Sequence, residues 1–466
     1  MQLVAYGAQD VYLTANPQIT FFKVVYRRHT NFAMESIEQV FNGSADFGRK
    51  VTATISRNGD LIHKAYLRVD LPDVTVSPGD GFRWLDWIGH ALLKSVEIEI
   101  GGQRIDKHYG DWLHIWNELT QTAGHQLGYA NMIGHVPQLT QPFINSGATS
   151  QTIKGQTLWI PLEFWWNRNP GLALPLIALQ YHEVKINIEF NSATNCFWAA
   201  NTTTTPFSAP SGKYTPSMTA SLFVDYIFLD TDERRRFSAA AHEYLIEQLQ
   251  FTGDESSNSA NNKVKLSFNH PTKELIWVVQ PDDNVQSNLT TYGPQWFNYT
   301  DAIDQSYSST FAYNISSTAI NDPTSTNGIG GMPGVAAGGA NGVYLPTAFS
   351  GGANPVSTAL LQLNGHDRFS LRDGRYFSLV QPYQHHENVP KQGINVYSFA
   401  LKPEEHQPSG TCNFSRIDTA MLQLNLTDNS IKNTAGSPRI VKMRVYAINY
   451  NVLRIMSGMG GLAYSN

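Results

Sequence analysis

Histidine beside glutamate is the pairing from which metal sites and general bases are built. The sequence offers it three times, as His182-Glu183, His242-Glu243 and His385-His386-Glu387. A zinc-protease helix needs a second histidine one turn further on, and the first two pairs lack it. His385-His386-Glu387 could ligate a metal, but it has no partner at ligand spacing and reads as a solvated surface loop. The acidic pairs Asp282-Asp283 and Glu404-Glu405 are adjacent. On a strand, neighbours point to opposite faces, whereas glycoside hydrolysis needs two carboxylates facing one cleft. There is no G-x-S-x-G, no P-loop and no G-x-G-x-x-G after a strand. Cys196 and Cys412 are far apart with no metal-ligand spacing, which predicts two buried thiols in a reducing compartment. The expectation is a protein with no catalytic residues, no metal and no cofactor.

Two dense basic clusters stand out, Arg27-Arg28 and Arg234-Arg235-Arg236. They read as solvated or salt-bridged boundary residues ahead of phosphate contacts. The formal charge of −5 calls for neither nucleic acid nor an anionic membrane. Asn-x-Ser/Thr sequons fall at Asn42, Asn201, Asn288, Asn298, Asn314, Asn413 and Asn425, as Asn- and Thr-rich loops produce by chance. Residues 1–6 lack a basic n-region and an apolar core, so no secretory signal is expected. No stretch reaches the about 18 apolar residues of a membrane span. These features predict a soluble protein made in a cytosol.

Whatever chemistry or contact these residues make, strands and turns must position them. Charged residues are only 15% of the 466, while glycine and aromatics are plentiful, a strand-and-turn balance. The phrase Ile37-Glu38-Gln39-Val40 returns as Ile246-Glu247-Gln248-Leu249, 209 residues later, and Arg27 falls on Arg236 at the same offset. Such internal repetition signals one unit used twice. In the first unit, 36–41, 51–55, 61–71, 96–100, 158–164, 184–190 and 222–229 read as strands. Asn58-Gly59 and Gly101-Gly102 read as tight turns. Trp112, Leu113, Ile115, Trp116 and Leu119 lie near helical spacing. Residues 121–155 and 191–217 read as loops.

The second unit repeats that grammar. Residues 244–251 match the first strand, Asn364-Gly365 stands where Gly101-Gly102 stood, and Met421, Leu422, Leu424 and Leu426 answer 184–190. Residues 445–452 answer 224–231. From Glu274 to Asp367 there is no Lys or Arg, and 281–358 reads as a long outer loop whose first half packs through Trp296, Phe297 and Tyr299. About eight alternating strands per unit, joined by long connections, predict an all-β chain of two consecutive eight-stranded antiparallel jelly-roll sandwiches with a few short helices. The expected parts are an arm over 1–24, sandwiches over 25–232 and 242–455, a linker over 233–241 and a tail over 456–466.

Longer phrases carry a family resemblance. They include Gln2-Leu3-Val4-Ala5-Tyr6-Gly7-Ala8-Gln9-Asp10, Ile55-Ser56-Arg57-Asn58-Gly59-Asp60-Leu61, Leu174-Pro175-Leu176-Ile177-Ala178-Leu179-Gln180-Tyr181-His182 and Asn451-Val452-Leu453-Arg454-Ile455-Met456-Ser457-Gly458. On these the chain resembles the major capsid proteins of nucleocytoplasmic large DNA viruses of algae and protists, most of all the chlorella-virus type. The likeness fades over 121–155, 191–217, 281–358 and 427–440. It implies a double jelly roll, a homotrimer tiling an icosahedral shell, and assembly in the host cytoplasm. It also implies a base facing minor capsid and penton proteins and an internal membrane, with no direct contact to nucleic acid. By position, Tyr6, Phe21 and Phe22 would dock the arm, and Arg27, Arg28, Arg234, Arg235 and Arg236 would lie at the base. Two other readings stand beside this one: a carbohydrate-binding β-sandwich, and a sandwich-fold hydrolase for which no residue set can be named.

Overall fold

The computed structural model describes residues 7–14, 21–22, 24–26, 29–204, 207–286, 293–303, 352–432 and 436–464. Eight strands build the first sandwich: β1 (Phe32–Gln39), β2 (Lys50–Thr54), β3 (Leu61–Asp70), β4 (Leu93–Ile100), β5 (Gln103–His108), β6 (Thr157–Pro161), β7 (Val184–Phe190) and β8 (Thr219–Leu229). One sheet has the order β1-β8-β3-β6 and the other β2-β7-β4-β5. The second sandwich uses β9 (His242–Phe251), β10 (Asn261–Lys265), β11 (Pro271–Pro281), β12 (Val356–Leu363), β13 (His366–Asp367), β14 (Ile394–Ser398), β15 (Ala420–Leu426) and β16 (Val441–Met456). Its sheets read β9-β16-β11-β14 and β10-β15-β12-β13. Raising each label by eight converts the first order into the second. The chain is a jelly roll made twice.

Local chemistry explains the repetition. In β7, Val184, Ile186, Ile188 and Phe190 are buried and the residues between are half-exposed, the two-residue period of a strand with one face on a core. β15 buries Ala420, Leu422, Leu424 and Leu426 in the same way, so the inward set is led by Ala420, and Met421 points outward. The β4–β5 and β12–β13 hairpins each turn through two residues of positive φ, Gly101-Gly102 and Asn364-Gly365. Such turns match the right-handed twist of the strands they join. At Gly59 the constraint is space: a Cβ would sit 2.9 Å from the Cβ of Tyr226.

The repeated phrase ends β1 and lies within β9. Ile37 pairs with Val224 and Ile246 with Asn451. Aligned on the phrase, Val224 therefore answers Asn451, six residues beyond the expected Val445. β16 is buried on both faces for most of its length, so it has no alternation from which a register could be read.

The two expected loops are more structured than their composition suggested. Residues 121–155 hold helices Ala123–Met132 and Pro137–Thr140 and bury Ile133, Val136, Leu139 and Phe143. Short strands Phe143–Ile144 and Phe197–Asn201 both pair with Asp80–Trp84, forming an extra sheet from three insertions. Two- to five-residue strands paired across more than 50 residues leave no local pattern. Cys196 is buried but Cys412 only partly so, and both are free.

Candidate assembly interface

Helix α1 (Gly110–Thr120), between β5 and β6 of the first sandwich, lies across the outer face of the second. Its apolar side, Trp112, Ile115, Trp116 and Leu119, packs on Ile276, Val278, Ile394, Val396, Tyr446 and Ile448. Trp112 sits 5.6 Å from Trp116 and 5.5 Å from Tyr446, ring centre to ring centre. Burying aromatic rings of this size makes the joint a continuous apolar layer rather than a hinge.

Charged groups rim that layer, and each is paired. Arg444 reaches Asp111 across the joint, Asp254 at 3.1 Å and Gln280 at 3.1 Å. Burial would lower the Arg444 guanidinium, but Asp111 beside it overrides that and holds it charged. Burial pushes the Asp111 carboxyl up, and Arg444 partly offsets the rise. Arg168 donates to Glu247 at 3.0 Å and lies 4.1 Å over Trp116, and Lys273 meets the same glutamate at 2.8 Å. A buried charge must be matched in this way or it destabilises the fold by several kcal/mol.

The reading of His385-His386-Glu387 as solvated surface is overturned at its centre. The His386 side chain is wholly buried, with Nε2 2.9 Å from Glu274 and Nδ1 2.8 Å from Glu404. Burial works against charging the ring, yet the two carboxylates override it and raise its pKa to about 9. Glu274, which burial alone would raise, is held below the usual carboxylate range by His386. The signal was hidden because the partners lie 112 and 18 residues away in sequence. Among the described residues no cluster of three or more His, Cys, Asp or Glu could hold a metal ion.

At this joint the geometry is mostly apolar and Arg444, Arg168 and Lys273 each meet a carboxylate, which is the make-up of a packed contact. Comparison with known proteins gives the geometry its context. A family model described as "Large eukaryotic DNA virus major capsid protein" matches residues 233–461, and one described as "Major capsid protein N-terminus" matches 20–230. The chain is 55% identical to the major capsid protein of Phaeocystis pouchetii virus, across 100% of this chain and 99% of that one. It belongs to the major capsid proteins of large eukaryotic DNA viruses. A chain of the PBCV-1 virus capsid matches with a TM-score of 0.67 and 39% identity, over 96% of this chain and 100% of that one. The Faustovirus major capsid protein shares the fold at a TM-score of 0.69 and 13% identity, over 97% of this chain and 94% of that one.

The predicted assembly residues of this capsid protein are unevenly placed. Tyr6, Arg27 and Arg28 lie outside the described residues. Phe21 and Phe22 are fully exposed. Arg234, Arg235 and Arg236 lie on helix α2 (Thr231–Ala239), which joins the sandwiches. Arg234 pairs with Asp60 at 3.0 Å and Arg236 with Glu233 at 3.5 Å. Arg235 and Arg236 line an open groove of about 570 Å³ with His29, Asn31, Asp230 and Asp232.

Sequence reasoning missed a second set. On the first sandwich the outer face of the β1-β8-β3-β6 sheet carries Met34, Tyr66, Trp159 and Phe223, none of them buried. Trp159 stacks 4.9 Å from Phe223, with Arg68 6.0 Å above its ring. On the second sandwich, the helical segment 376–385 between β13 and β14 presents Leu379, Val380 and Tyr383, with Leu401 also exposed. The available signal was positional: this segment occupies the slot of α1.

Proposed function

We propose that three copies of this capsid protein close into a ring, forming a tile of pseudo-hexagonal outline that packs side by side into the outer shell. The observation that carries this is a contact made only once among the described residues. The α1 helix of the first sandwich covers the outer sheet face of the second. The matching helical segment 376–385 of the second sandwich inserts Phe377 into its own core and leaves Leu379, Val380 and Tyr383 exposed, and on the matching sheet face of the first sandwich Met34, Tyr66, Trp159 and Phe223 stay unburied. Exposed surface from both halves of a second such contact is thus present in one chain. A second copy supplies the missing half, and because its two halves differ the contact is heterologous and closes into a ring. Two similar sandwiches per chain and three chains give six similar sectors.

The division into an arm over 1–24, sandwiches over 25–232 and 242–455, a linker over 233–241 and a tail over 456–466 serves that tile. The arm, with Phe21 and Phe22 unburied, is read as the base contact toward minor capsid and penton proteins and an internal membrane, and assembly as taking place in the host cytoplasm. The PBCV-1 chain it resembles is part of a virus capsid, which supports the shell reading.

Sedimentation of the purified chain tests the ring. Wild type is expected to run at three chain masses. Phe223→Glu and Tyr383→Glu, on opposite halves of the proposed contact, are each expected to run as folded monomers. A monomeric wild type, or trimers that survive both substitutions, would defeat the reading. Deleting residues 1–24 is expected to leave trimers intact and to impair shell assembly.

A further inference from the structure

We propose that His90, His114 and His135 form an acid-sensitive clasp between the two sandwiches, closed while the three rings are neutral and opened when they take up protons. The three sit around one tryptophan. The Trp87 ring centre is 4.1 Å from His135, 5.1 Å from His114 and 6.0 Å from His90, and His90 and His114 are 5.7 Å apart. All belong to the first sandwich. The lid over them belongs to the second. Phe297 packs 4.5 Å from His114 and 6.1 Å from His90, and Lys391 lies 5.4 Å over Trp87. The Asn388 N–H donates to the Leu119 carbonyl at 3.0 Å, closing the same edge.

This pocket offers a positive ring little compensation for the water it excludes. His90 Nε2 shares a hydrogen bond with the Tyr129 hydroxyl at 2.8 Å, but its buried Nδ1 has no partner. His114 Nδ1 is likewise buried without a partner. His135 Nδ1 accepts from the Trp87 N–H at 3.4 Å, which requires that nitrogen to be unprotonated. The charged neighbours are few. From α1, Glu118 stands 3.9 Å from His114, but Lys391 approaches it at 3.7 Å, so its charge is already shared. Asp111 of the same helix is taken by Arg444 and accepts from the Tyr299 hydroxyl at 3.3 Å. Asp86 favours a charged His135, whereas Arg83 and Lys391 oppose it.

Burial accordingly pushes His90 down to about 3 and His135 to about 4, and holds His114 well below the ordinary histidine range. The sign follows. A group with a depressed folded pKa binds fewer protons closed than open, so closure weakens as pH falls below about 6.5 and the loss is complete near the depressed values. Lifting the segments around Phe297 and Lys391 admits water and is the shortest route to relief. A tile with this clasp holds at neutral pH and loosens across its internal joint in acid.

Hydrogen exchange read by mass spectrometry on the assembled full chain tests it, with rates corrected for the intrinsic effect of pH. Between pH 7 and pH 4.5, peptides over 293–303 and 386–392 are expected to lose protection, by a factor on the order of a hundred for a histidine held near 3 or 4. Peptides over β12 and β15, in the core of the second sandwich, are expected to stay protected. His114→Phe fills the same space without titrating and is expected to reduce that loss. His90→Gln, which keeps a hydrogen-bonding partner for Tyr129, is expected to do the same if His114→Phe folds poorly. Unchanged protection at pH 4.5 would overturn the proposal. So would a variant whose profile superimposes on wild type, because acid would then be acting through carboxylates such as Asp111 or Glu118.

Discussion

β3 and β11 are the same strand of the same fold, yet they meet different surroundings. From His63 onward β3 alternates buried side chains with exposed or half-exposed ones, whereas β11 is buried on both faces from Thr272 onward. The difference does not lie in the sandwiches, whose strand orders coincide, but in what lands on the outer face. α1 lands on the β11 sheet and brings two tryptophans, while on the β3 sheet Phe237 of α2 covers the end near Leu61 and Ile227 and leaves Trp159 and Phe223 unburied. One fold copied twice thus holds one contact that is filled and one aromatic face that is not, and the second is the face the proposed ring would use.

The largest test sets the two faces against each other by substitution. Trp116→Ala removes a buried ring at the finished contact and is expected to cost about 3–5 kcal/mol in denaturant unfolding. Trp159→Ala, on the bare face, is expected to cost about 1 kcal/mol or less in a Tyr383→Glu background that keeps the chain monomeric. With Tyr383 intact, the same Trp159→Ala change should instead weaken the trimer. Equal costs in the monomer would mean that the first sandwich's face is already covered, and the comparison would fail.

A second, smaller effect concerns charge on the covered face. His386 is held between Glu274 and Glu404 with its pKa raised to about 9, against 6.5 for an ordinary histidine. A raised folded pKa gives stability that is fully present below about 6.5 and is lost as pH rises through about 9. Melting temperatures are therefore expected to fall between pH 7 and pH 10, and His386→Gln is expected to flatten that slope while lowering stability at pH 7. The bare face has no such group, so monomers altered there should keep the wild-type alkaline slope. This dependence is opposite in sign to that of the clasp at His90, His114 and His135, so each can be read at its own end of the pH range.

The sequence showed the repetition because many strands have one solvated face. β7 and β15 alternate cleanly, and the Ile-Glu-Gln phrase marks the first strand of each unit. Legibility failed where both faces are buried. In β11 the pair Lys273-Glu274 resembles solvent-facing polar sequence, yet both side chains are wholly buried and partnered by Glu247 and His386. Only a second surface makes such charges tolerable, and a pattern along one strand does not reveal a second surface. The same blindness hid the bare aromatic face: Trp159 and Phe223 lie 64 residues apart and touch only through the fold. Of the named assembly residues, Arg235 and Arg236 of α2 line a shared groove while Arg234 does not, for a reason that spacing alone did not distinguish.

That reason yields the smallest test. Arg234 is bound to Asp60 through two contacts, at 3.0 and 3.2 Å, and Asp60 also accepts the Leu229 N–H at 2.8 Å. Arg234 therefore ties α2 to the end of β8 and braces the point where one sandwich hands over to the next. Its side chain is half-exposed, so solvent screens the pair, and Arg234→Ala is expected to cost about 1 kcal/mol or less. Arg235, exposed on the groove, is expected to leave folding unchanged within about 0.5 kcal/mol when replaced by alanine. A base contact through Arg235 would show instead as weaker assembly, more so at low salt, where charge pairs act most strongly. If Arg235→Ala lowers the melting temperature as much as Arg234→Ala, the whole basic run is a brace for the joint, and the base contact must be sought elsewhere.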